Sequence, residues 1–180
     1  MRAWCIGIFI ALSGIALPAA SQANKVLRGS EITESALIEA LDPEGGIRTR
    51  SIKVFRDQPD AAEKAASASM LITFHTNSAD LTPEARQSLD VLGRALNMNK
   101  LASHYFEIEG HADPRGGPEF NQQLSQERAQ AVRDYLVRNH GVDEERLTAV
   151  GKGANNLFDK ENPIAPENRR VTIVTKPKPR

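Results

Sequence analysis

The sequence predicts an α/β protein: a two-layer sandwich of alternating strands and helices, preceded by a signal peptide and a short N-terminal extension. Three observations support this. Short apolar runs at residues 71–74, 104–110, 147–150 and 171–174 have strand length and are bounded by turn-forming residues. Two longer stretches between the first three runs place apolar residues at helical spacing. The first 23 residues have a different composition altogether, basic at the start and then apolar. A chain of 180 residues suits one domain with extensions rather than two full domains.

Arg2 precedes an apolar run from Trp4 to Leu17, followed by Pro18 and the small residues Ala19, Ala20, Ser21 and Ala23. The run is shorter than the ~20 residues a spanning helix needs, so residues 1–23 read as a cleaved signal peptide rather than an anchor. Cys5 is the only cysteine and would leave with that peptide. No lipobox follows the run, and a cysteine-free exported protein fits the periplasm. No integral membrane span is expected after cleavage.

Residues 24–69 read as an extension or linker. Ser30 is a candidate cap for a helix through Leu41, with Ile32, Ala36, Leu37, Ala40 and Leu41 at helical spacing, and residues 42–46 break it. Arg48, Arg50, Lys53 and Arg56 follow, either as a solvated linker or as a surface for an acidic partner. Another envelope protein could dock on this extension.

The compact domain is expected over residues 70–175, with a basic tail at 176–180. Leu71, Ile72 and Phe74 form its first strand. Thr82 caps a helix with Pro83 in its first position and Ala85, Leu89, Leu92 and Leu96 on its inner stripe. Residues 104–110 are the second strand, and residues 118–139 the second helix, closed by Gly141. Strands at 147–150 and 171–174 complete the set, with a helical turn near 165–169 between them.

Charge and motifs narrow the function. Lys and Arg total 23 against 23 Asp and Glu, which argues against a nucleic-acid partner. No phosphate loop, dinucleotide fingerprint, nucleophile elbow or metal-ligand spacing is present, so no cofactor, metal or enzymatic activity is expected. The informative stretch is Gly110-His111-Ala112-Asp113, then Asn121, then Leu124-Ser125 and Arg128-Ala129. It delivers Asp113 to a strand end, where it is either a turn residue or a charged ligand group. Seven residues at about 100° each bring Arg128 within ~20° of Asn121, on the same helix face as Ser125. Leu124, Val132 and Tyr135 lie within ~40° of it, so a guanidinium sits inside an apolar stripe. Such a cation either pairs internally, snorkels to water, or aims its fork at a ligand carboxylate.

At these residues the chain resembles the peptidoglycan-binding domain found at the C-terminus of outer membrane protein A, in peptidoglycan-associated lipoprotein and in the flagellar stator protein MotB. The resemblance covers about residues 70–175. It is carried by Ile72-Thr73-Phe74-His75-Thr76-Asn77 with Leu81-Thr82, the Gly110–Asp113 and Asn121–Ala129 blocks, Gly151-Lys152-Gly153 and Asn168-Arg169-Arg170-Val171. It implies non-covalent binding of the diaminopimelate in the peptidoglycan stem peptide, the alternatives being an envelope scaffold that uses the wall as anchor while residues 24–69 recruit a partner, and, after that, a cell-wall hydrolase. By resemblance Asp113 and Arg128 are the charged ligand residues, and Asn77 and Asn121 the polar ones. The chain differs from the usual pattern at Ala112, commonly Thr, and His75, commonly Asp.

Overall fold

A computed structural model describes residues 26–43, 65–75 and 78–178. The expected signal peptide, the cluster of Arg48, Arg50, Lys53 and Arg56, and Asn77 lie outside the described residues. The elements run in the order β1 (Val26–Leu27), α1 (Glu34–Leu41), β2 (Ser67–Met70), α2 (Pro83–Asn97), β3 (Tyr105–Gly110), α3 (Pro118–His140), β4 (Leu147–Gly151) and β5 (Val171–Lys176). The five strands form one mixed sheet in the order β1-β2-β5-β3-β4. The outer pairs β1–β2 and β3–β4 are parallel, and β5 runs antiparallel to both β2 and β3.

Strand periodicity decides which face is dry. In β3 the buried residues Phe106, Ile108 and Gly110 alternate with Tyr105, Glu107 and Glu109. Ile108 pairs with Ile173 and Met70 with Val171, so one face is apolar across three strands. Leu89, Leu92 and Leu96 of α2 join Val132 and Leu136 of α3 in the core this face lines. Each such side chain contributes ~1.5–3 kcal/mol on burial. The opposite face carries ions: Lys152 lies 3.2 Å from Glu107 and 3.1 Å from Glu109, and Lys176 lies 3.3 Å from Glu107. Lys176, the first residue of the expected basic tail, is therefore the last residue of the sheet.

The helix termini follow their local chemistry. Thr82 accepts a hydrogen bond from Ala85 N with Pro83 in the first turn, and Gly141 closes α3 at φ 60°. Helix α1 starts later than Ser30 suggests. Ser30 lies in a 3-10 turn, and Thr33 takes the capping role through Ala36 N.

The first strand differs more. It occupies Ser67–Met70 rather than 71–74, because its partner β5 begins at Val171 and the Met70–Val171 pair ends the ladder. Beyond it, Phe74 makes only an isolated bridge to Leu81. The sheet and core also run across the expected boundary at residue 70. Ile32, Leu37 and Leu41 belong to the same core, and Thr175 donates its hydroxyl to the buried carbonyl of Leu41 at 2.6 Å. Residues 26–41, within the expected extension, are thus a layer of this domain. Among the described residues no helix is long and apolar enough to cross a membrane.

Candidate ligand-binding site

One end of the sheet collects the informative residues. Strands β3 and β4 end together at the Gly110–Gly151 pair, and Gly110 also faces Val171 at the start of β5. Hydrogen bonding continues past the ladder: His111 N donates to Arg170 O at 3.0 Å and Ala112 N to Gly153 O at 2.8 Å. The next residue is Asp113.

Helix α3 seats directly on these strand ends because two residues lack a side chain. A Cβ on Gly110 would lie 2.1 Å from Ser125 O, and one on Gly151 2.6 Å from Gln126 N. Ser125 is fully buried; its Oγ donates to Gln122 O at 2.9 Å and accepts from Gly153 N at 2.9 Å. Asn121, also buried, donates from Nδ2 to the Asp113 carbonyl at 3.1 Å. One face of α3 thus pins both loops and presents Arg128 two turns further on, as the angular spacing predicts.

Asp113 is the electrostatic centre. Its side chain is 6% exposed. Oδ1 accepts from the backbone N–H and Nε of Arg115, both at 3.1 Å. Oδ2 accepts from Arg115 Nη2 at 2.6 Å and Arg169 Nη1 at 2.8 Å. Burial alone would raise its pKa, but the hydrogen bonds from Arg115 and then Arg169 hold it at about 2. The turn expected at this position is present too, since the Oδ1 contact to Arg115 N is an Asx turn.

Arg128 does not pair with Asp113 or Glu109. Its Nε donates to Ser78 O at 3.1 Å and its guanidinium lies 4.8 Å from the centroid of the Phe74 ring. It forms no salt bridge among the described residues. Burial lowers its pKa, the neighbouring Arg169 lowers it further, and Asp113 opposes both. Three guanidiniums, from Arg115, Arg128 and Arg169, therefore surround one carboxylate, a local surplus of two positive charges.

Arg115 and Arg169 received no role from the sequence. Arg169 is 56 residues from Asp113 and meets it only because β5 pairs with β3; its signal was the Asn168-Arg169-Arg170 block ahead of β5. Asn168, fully buried, organises that block by accepting from Phe158 N and Asp159 N and donating to three carbonyls. His111 lies behind the site. It is buried, 3.5 Å from Glu109 Oε2 without hydrogen-bond geometry, and burial lowers its pKa, Glu109 opposing and Arg170 reinforcing the shift. Among the described residues no group of His, Cys, Asp and Glu could hold a metal ion.

This fold, with a carboxylate just beyond β3 and an arginine midway along α3, defines a class. The OmpA family model matches residues 73–170, and the chain belongs to the OmpA family. The peptidoglycan-associated lipoprotein of Pseudomonas aeruginosa is 33% identical over 154 residues, covering 81% of this chain and 84% of that protein. Among solved structures, the peptidoglycan-associated lipoprotein from Burkholderia pseudomallei is 27% identical with a TM-score of 0.50, covering 60% of this chain and 89% of that one. The OmpA-like domain of FopA1 from Francisella tularensis is 25% identical with a TM-score of 0.52, covering 62% and 72%.

Proposed function

We propose that this domain holds the bacterial cell wall non-covalently, in the periplasm, by gripping the zwitterionic end of diaminopimelate in the peptidoglycan stem peptide. Asp113 takes the ammonium and Arg128 the carboxylate. Asn121 contributes its side-chain carbonyl oxygen, which has no partner among the described residues, while its amide keeps the Asp113 loop in place. Asn77 completes the polar set. No covalent step is needed.

The observation that carries this reading is Arg128. A half-buried guanidinium with no described carboxylate partner, set in a surplus of positive charge, is suited to an anionic group supplied from outside. The names of the relatives point the same way, since two of the three matched proteins above are peptidoglycan-associated lipoproteins.

Co-sedimentation with purified sacculi tests it. Losing one partner of a desolvated charge pair costs ~2–5 kcal/mol, roughly 30- to several thousand-fold in affinity. Arg128→Ala should therefore stay in the supernatant while its thermal transition remains cooperative. Arg128→Lys should rescue poorly, because an ammonium keeps the charge and loses the planar fork. Normal sedimentation of a folded Arg128→Ala protein would defeat the proposal.

A further inference from the structure

We propose that Arg115 is the residue by which this site reads a second carboxylate on its peptide ligand, one residue along from the zwitterionic end. The inference rests on the diaminopimelate reading and extends it from the amino acid to its neighbour.

It begins with hydrogen-bond capacity. An ionised carboxylate offers about four acceptor positions. Asp113 already receives the backbone N–H of Arg115, that residue's Nε and Nη2, and Nη1 of Arg169. A ligand ammonium can approach only if one of these donors leaves. Arg169 is the more enclosed of the two arginines, 37% exposed against 62%, and also reaches Ile164 O at 3.4 Å. The Arg115 side chain has no other partner among the described residues. It leaves at the smaller cost, and its backbone N–H stays on Oδ1 to keep the turn.

Charge then sets what the released fork meets. The zwitterionic end of the ligand adds no net charge, so the surplus of two positive charges persists after it binds. A freed guanidinium beside Arg169 is stabilised by an acceptor of opposite sign, and a ligand carboxylate can supply one. The glutamyl residue of the stem peptide is joined through its γ-carboxyl to the other amino group of diaminopimelate, so its free carboxylate lies well away from the zwitterionic end. The long, exposed side chain of Arg115, swung outward from the turn, is the group placed to span that gap. Arg115 thus exchanges an internal carboxylate for an external one, and the exchange selects peptides with an acid at that position.

The test uses the full mature chain and two synthetic tripeptides, Ala-γ-Glu-diaminopimelate and the same peptide with the free glutamyl carboxyl as its amide. Titration calorimetry measures both against wild type, Arg115→Ala and Arg115→Lys, with melting temperatures recorded for each protein. Exposed ion pairs reach ~1 kcal/mol, so wild type should prefer the acid by about five-fold. In Arg115→Ala that ratio should fall to about one, with Arg115→Lys in between. A five-fold ratio that survives in Arg115→Ala, or equal loss of both peptides, would overturn the inference while leaving the diaminopimelate reading standing. Failure of wild type to bind either peptide would remove both together.

Discussion

The charge arrangement at Asp113 makes a prediction that needs no ligand. Replacing it with Asn keeps the shape and one of the two acceptor oxygens but removes the charge that Arg115 and Arg169 share. The carboxyl is held at about 2, against about 3.9 for an ordinary aspartate. A shift of that size corresponds to roughly 2–3 kcal/mol of folding stability at neutral pH, and the solvent exposure of both arginines brings the expectation towards roughly 2 kcal/mol. The sign follows from a depressed pKa: the stabilisation is fully present above the unfolded value near 3.9 and is lost as pH falls through about 2. Asp113→Asn should thus melt about 4–8 °C below wild type at pH 7. By pH 2.5 only about a third of the free-energy difference should remain. Paired urea titrations of wild type and variant between pH 7 and pH 2.5 read this directly, because titration of all other carboxyls cancels in the difference. A gap that stays constant across the range, or no gap at pH 7, would show that the two arginines do not stabilise the ionised form.

Two further outcomes follow from the same geometry. Amidating the free carboxylate of diaminopimelate, or substituting lysine, which lacks it, should weaken peptide binding at least ~30-fold in calorimetry; equal affinity for all three ligands would mean that Arg128 has been given the wrong partner. Gly110→Ala would place a Cβ 2.1 Å from Ser125 O, and overpacking of this kind costs ~1–3 kcal/mol, so the melting temperature should fall by roughly 5 °C and wall binding should weaken as α3 shifts away from Asp113. An unchanged melting temperature would show that the helix does not seat through that glycine.

How much of this was legible depends on how far each feature reaches along the chain. The ends of α2 and α3 are decided locally, by Thr82 with Pro83 and by Gly141, and the sequence locates them within a residue or two. The face shared by Asn121, Ser125 and Arg128 follows from helical spacing alone. Strand β2 is different. Ser67-Ala68-Ser69-Met70 has little strand character of its own and pairs because β5 offers four partners there, whereas the more apolar residues 71–74 have no partner in β5. Tertiary pairing overrode propensity, and the role of α1 was hidden for the same reason, since Leu37 and Leu41 are buried in a core that α2, β2 and β5 form around it.

The site shows the same division. Asp113 could be a turn residue or a charged ligand group, and the structure makes these compatible: the Asx turn that its Oδ1 forms with Arg115 N also holds Arg115 where its guanidinium covers the carboxylate. Nothing in the local spacing reveals that Arg169 reaches the other oxygen, because that contact exists only when β5 lies between β2 and β3. A merely structural Arg128 is expected to pair with an internal acid or to snorkel to water. Asp113, the acid that favours its charge, is instead bonded by two other arginines, while burial and Arg169 disfavour that charge. A half-buried arginine without a described carboxylate is costly in the free protein. On the proposed reading a ligand carboxylate relieves that cost, which would tie the stability of the empty site to the affinity of the filled one.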